Sequence, residues 1–196
     1  DCFAIGTLTD MVPLIEENRV LVKHGLHVLA QTSRPGLQAL LEELGLWGRP
    51  LSSQDVAIRF APKLNALSRM ETGVQPLDLY QVEDKKEARR LVTDVLSNNQ
   101  NRQASQKQAE QEAIEFVEQT KPQNVIFVFS KNFHRGVIGL VATKRTQLYK
   151  VPAIVGALGE SGQIVGSARM PAGYAKHLLD AMETCHDVLH QFGGHA

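Results

Sequence analysis

The stretch GTLTDMVPL, residues 6–14, decides how this chain is read. The run that leads into it, CFAIGTL (residues 2–8), is apolar with little alternation, the pattern of a strand buried on both faces. Asp10 then stands at the carboxyl end of that strand, just before Val12-Pro13. Open α/β sheets place their ligands at that end. A hard divalent ion such as Mg2+ or Mn2+ takes a carboxylate oxygen there. By itself Asp10 is equally a cap or turn residue, because one carboxylate is not a metal site.

Working outward, residues 18–31 carry Val20, Leu21, His24, Val28 and Leu29 at helical spacing, with Asn18 as the N-cap. SRPG places Ser33 and Pro35 to open a second helix, GLQALLEEL, which Gly45 stops. DVAIRFAPKLNALSRM is a further apolar segment, interrupted at Pro62. From Glu83 to Gln119 the texture changes to a polar run without Gly or Pro. Its thin stripe of Leu91, Val95, Ala109, Ala113, Phe116 and Val117 predicts a long exposed helix with a break near Ser97-Asn98. Such a helix bridges two globular parts, which sets the domain division at residues 1–82, 83–121 and 122–196. Beyond Lys121-Pro122 the pattern is α/β. NVIFVFS, VPAIVGAL and QIVGSARM read as strands, GVIGLVATKRTQLY as a helix, and KHLLDAMETCHDVLHQF as an amphipathic helix.

Composition bounds the rest. The 196 residues are 43% hydrophobic, enough for one large or two small domains, and carry 21 basic against 21 acidic side chains. A net charge of zero exerts no global pull on nucleic acid, yet leaves room for a local basic groove. Two cysteines without metal-type spacing fit a reducing cytoplasm. No run approaches a membrane span. The chain opens in an apolar run without Met and stops on QFGGHA, so a segment of a longer protein is expected.

Four more clusters bear on chemistry. Asn65 and Arg69 are four apart, on one face of a helix, where an amide and a planar guanidinium suit a phosphate oxygen or simply a solvated face. His134, in NFHRGVIG, lies at the start of a helix, either at an anion site or as a cap. Ser167 and Arg169, in GSARM, point to one face of a strand, as phosphate ligands or as an ordinary edge pair. His195, in FGGHA, follows two glycines that let the backbone present an imidazole, or is a loop residue.

In order, the chain reads GTLTDMVPL, APKLNALSR, HRGVIG, GSAR and GGHA. Together these resemble the DHH phosphoesterases, and within them the RecJ branch of single-stranded-DNA exonucleases. The resemblance covers nearly the whole chain. Ser68 departs from it, standing where the family often has Gly, and Asp1 matches a common family acid to which no role is given.

The resemblance implies an α/β fold: the C-terminal part of a DHH catalytic domain, a long connecting helix, and a small, truncated α/β DHH-associated domain. It implies Mn2+ or Mg2+ as cofactor, with Asp10 the last of several metal ligands and the others upstream of this chain. It places Asn65, Arg69 and His195 on the scissile phosphate, Asp10 and His195 in catalysis, and His134, Ser167 and Arg169 on substrate phosphates. The implied activity is 5′→3′ hydrolysis of single-stranded DNA in repair and recombination, in the cytoplasm, without a membrane. Two rivals stay open: a phosphodiesterase for short oligonucleotides or cyclic dinucleotides, and a non-catalytic binding relative.

Overall fold

The computed structural model describes residues 1–70, 73–159, 161–174 and 178–194. The chain divides into two compact units, Asp1–Arg102 and Gln103–Ala196.

The first unit is helical, and it corrects the reading of the opening stretch. Cys2–Thr9 is a helix, α1, not a strand. Its buried residues Ala4, Ile5, Thr7 and Leu8 recur at helical spacing, a pattern that a short apolar run conceals. Asp1 caps it by accepting the Cys2 N–H at 2.7 Å. Asp10 therefore lies at the C-terminus of a helix rather than at the mouth of a strand, with its N–H bonded to Gly6 O. The chain turns away through Met11 at φ 54° while the Val12 N–H bonds back to Thr7 O at 3.0 Å.

Helix α2 spans Glu16–Ala30 and is capped by Ile15, so Asn18 lies inside it and its amide donates to Pro13 O. Val22 and Leu29 are buried, whereas Val20, Leu21 and Val28 face outward, contrary to the expected apolar face. The face that packs is set by Gly25, where a Cβ would stand 2.7 Å from the Ala4 Cβ of α1. Helix α3, Pro35–Glu43, opens on Pro35 as its spacing predicts. It closes on Gly45 at φ 63°, with Gly45 N–H to Glu42 O and Leu46 N–H to Leu41 O. A π-helical turn, Asp55–Phe60, feeds into α4, Ala61–Arg69, so Pro62 changes the hydrogen-bond pattern without ending the helical path. Helix α5 is Pro76–Gln81. The core of this unit is built on Leu29, Leu37, Leu40, Leu41, Phe60, Leu67 and Leu79.

Helix α6 runs unbroken from Lys85 to Thr120, without the expected interruption at Ser97-Asn98. Asp84 starts it by accepting the Glu87 N–H at 2.8 Å. Its apolar stripe is two separate patches. Ala88, Leu91, Val92 and Val95 join the first core, while Ala109, Ala113 and Val117 join the second. Phe116, expected in the stripe, is 36% exposed. The polar middle bonds within the helix, Arg102 donating to the buried Asn99 Oδ1 at 3.3 Å.

The second unit is the predicted α/β part. Strands β1 (Ile126–Ser130) and β2 (Ala153–Leu158) pair in parallel across helix α7, Ile138–Tyr149. Strand β3, Ile164–Arg169, adds antiparallel to β2, giving the order β1-β2-β3. Ile126, Val128, Ala153 and Val155 are buried with Val141 and Ala142 of α7, and Phe127 and Phe129 point the other way. The expected amphipathic helix is shorter among the described residues: α8 covers Leu178–Glu183 and buries none of them.

Candidate functional site

Asp10 and Asn65, 55 positions apart in sequence, line one shallow cavity of ≈ 220 Å³ in the first unit. Gly6 and Thr9 join Asp10 from α1, Leu64 comes with Asn65 from α4, and Tyr80 comes from α5. Asp10, at the end of α1, is exposed. Thr9 Oγ1, beside it, is buried and has no hydrogen-bond partner among the described residues. An orphaned buried hydroxyl costs about 1–3 kcal/mol, so the wall holds one donor that nothing in the fold uses.

Two devices hold α5, and with it Tyr80. A Cβ on Gly36 would stand 2.1 Å from Leu79 O, so α3 meets α5 at backbone contact. Arg34 Nη1 donates to Tyr80 O at 2.9 Å. Arg34 is itself held by Asp1, which also accepts from Thr32 Oγ1 at 2.8 Å. Asp1 thus has a structural role as cap and anchor. Burial pushes the Tyr80 phenol up to about 12, the Cys2 side chain adding to the effect and Arg34 opposing it. The phenol stays a neutral donor throughout the physiological range.

Asn65 and Arg69 are both exposed on α4 at the expected i, i+4 spacing. Positive charge gathers around them. Burial pulls Arg102 below its ordinary value, with the Arg69 charge adding, and pulls Lys63 down, with Arg102 and Arg59 adding. Arg102 and Lys63 thus stand close to other cations, a grouping suited to a polyanion.

In the second unit, Ser167 and Arg169 do share one face of β3. They lie against the first turn of α7, where a Cβ on Gly139 would meet Ser167 Oγ at 3.2 Å and Arg169 Nη2 at 3.3 Å. The glycine of GVIG is therefore what lets the helix approach the pair. Arg169 Nη1 donates to Ala168 O at 2.7 Å, which aims the guanidinium. His134 lies in the turn before α7, its Nδ1 accepting the Gly136 N–H at 3.0 Å. That bond leaves the proton of the neutral ring on Nε2, free of the turn's own needs. His195 lies outside the described residues.

The Asp10 carboxylate supplies hard oxygens of the kind a divalent ion takes. It fits as part of a site. No group of three or more His, Cys, Asp or Glu residues able to hold a metal occurs among the described residues. Sequence reasoning missed Thr9, Tyr80 and Gly139. The first two carry no motif, since only the folding of α1, α4 and α5 brings them together, but the GVIG spacing could have flagged the third. No helix among the described residues is long and apolar enough to cross a membrane.

No family model matches the chain. Its similarity to known proteins is nevertheless extensive. It is 38% identical over 197 aligned residues to the single-stranded-DNA-specific exonuclease RecJ of Bacillus subtilis, covering all of this chain and 25% of that relative. It superposes on RecJ of Thermus thermophilus in complex with Mg2+ with a TM-score of 0.84 at 31% identity, covering 98% of this chain and 29% of that one. The Mn2+ complex of the same protein gives 0.83 at 31% identity, covering 98% and 28%. The chain thus spans between 25% and 36% of the length of the curated relatives it matches. Along its whole length and in its fold, the chain matches a segment of the RecJ exonucleases.

Proposed function

We propose that this chain is the substrate-gripping segment of a metal-dependent exonuclease that degrades single-stranded DNA from the 5′ end in repair and recombination in the cytoplasm. Residues 1–82 form the C-terminal part of its DHH domain, 83–121 the connector, and 122–196 part of the DHH-associated domain. The observation that carries this reading is the cavity where α1 and α4 bring Asp10 and Asn65 together. The family's solved structures hold Mg2+ or Mn2+, and Asp10 supplies a carboxylate oxygen to such an ion. When bound, the ion supplies an activated water and charge stabilisation for the leaving oxygen.

The chain's own residues bind and orient the strand. Asn65 and Arg69 donate to the oxygens of the scissile phosphate from one helical face, within the field of Lys63 and Arg102. Ser167 and Arg169 donate to a second phosphate near the 5′ end, and the His134 Nε2–H is a further donor. These contacts all go to the backbone, so cleavage is independent of base sequence. In the intact protein, Asp10→Ala is expected to abolish Mn2+-dependent release of mononucleotides from 5′-labelled single-stranded DNA while leaving strand binding within a fewfold. Undiminished release would remove Asp10 from the site.

A further inference from the structure

The cavity beside Asp10 is lined by a tyrosine that the proposed reaction does not use. We infer that Tyr80 is a substrate-contacting residue of this cavity, its hydroxyl donating to a non-bridging oxygen of the single-stranded phosphodiester backbone. The inference rests on the proposed function and assigns one further substrate-binding residue to it.

Three observations carry it. The polar side chains of the wall are Thr9, Asp10, Asn65 and Tyr80, and the remainder, Ile5, Leu64 and Pro76 among them, is apolar. A mostly apolar concavity with a few convergent polar groups is how small ligand sites are built. Its volume is below the 300–1,000 Å³ of drug-sized pockets, which suits one backbone phosphodiester and not a base pair. Next, Thr9 Oγ1 is sealed in that wall and out of a ligand's reach, which leaves Tyr80 as the other hydroxyl residue of the lining. Finally, Tyr80 is presented on a backbone fixed twice, by Arg34 Nη1 on its own carbonyl and by the close approach of Gly36 to Leu79 O. A ring on so constrained a helix loses little freedom on binding. Its hydroxyl remains a donor at any working pH.

The chemistry distinguishes this donor from the basic ones. A neutral hydroxyl releases no counterion when it meets a phosphate, whereas a guanidinium does. The test is fluorescence anisotropy of the 196-residue chain with a labelled single-stranded oligothymidylate, without divalent metal, across 25–200 mM salt. Wild type is compared with Tyr80→Phe, Thr9→Val, Asn65→Ala and Arg69→Ala, and the fold is checked by thermal unfolding followed through Trp47. Tyr80→Phe is expected to bind about tenfold more weakly at every salt concentration with an unchanged salt slope. Arg69→Ala is expected to weaken binding and flatten the slope. Thr9→Val, the control for a purely structural change in the same wall, is expected to bind like wild type while unfolding at a higher temperature, since the orphaned hydroxyl is gone. If Tyr80→Phe binds like wild type while Asn65→Ala is weakened, the inference falls and the proposed function stands. If wild type itself does not bind the strand at millimolar concentration and 25 mM salt, both fall.

Discussion

Replacing Gly36 with alanine tests how the cavity wall is held. The added Cβ would stand 2.1 Å from Leu79 O, 2.9 Å from Leu79 C and 2.9 Å from Val82 Cγ1. Ordinary contact begins near 3.4 Å, so the backbone of α5 would have to withdraw by more than 1 Å. Overpacking of this kind costs about 1–3 kcal/mol, and the upper end applies because the obstruction is a carbonyl and not a flexible side-chain tip. Against it stands the helix preference for Ala over Gly, at most about 1 kcal/mol in α3. The net expectation is a loss of about 2 kcal/mol, which at a urea slope of ~2 kcal/mol/M lowers the midpoint by about 1 M. The single tryptophan, Trp47, packs against the core of the first unit and so follows the unfolding of that unit alone. A midpoint equal to or above that of wild type would show that α3 and α5 do not meet at Gly36, and would undo the argument for how Tyr80 is presented.

Three further outcomes are expected. Asp55 accepts from Arg49 Nη2 at 2.7 Å and from Ser52, and these bonds, Arg49 first, hold its carboxyl well below the usual carboxylate range. Its stabilisation is therefore complete above the unfolded value near 4 and lost as pH falls below it. Asp55→Asn should cost about 1 kcal/mol at pH 7, discounted for the half-exposed Arg49, and the gap to wild type in Trp47-monitored urea melts should narrow toward pH 2.5; a constant gap would refute the assignment. Arg169→Ala in the intact protein should weaken single-strand binding by about 1.5–3 kcal/mol, the value of a charge-assisted bond to phosphate, and equal affinities in anisotropy at fixed salt would contradict its role. The 196-residue chain alone, incubated with Mn2+ and 5′-labelled single-stranded DNA, should release no mononucleotides. Metal-dependent release, with contaminating nuclease excluded, would show that the catalytic groups lie within it.

Much of the second unit was legible in the sequence, because its strands are short apolar runs bounded by Pro, Gly and polar turns, and its helix begins after a glycine-marked turn. The pairing of Ser167 with Arg169 on one face follows from strand periodicity, and that of Asn65 with Arg69 from helical periodicity. Both are local geometry, which the residue spacing determines. The opening stretch was misread for a physical reason: CFAIGTL has too few residues for its period to distinguish a buried strand from a buried helix, and the decision went to Asp1 as cap and to α2, whose Gly25 fits against Ala4. Likewise, the thin stripe of α6 is visible in the sequence, but not its division between two cores, since both patches read as one faint face. Asp10 and Asn65 are 55 residues apart and share no local pattern. Only the packing of α1, α4 and α5 decided that they line one cavity, and that Thr9 and Tyr80 stand there with them, because long-range proximity is a property of packed surfaces and not of spacing along the chain.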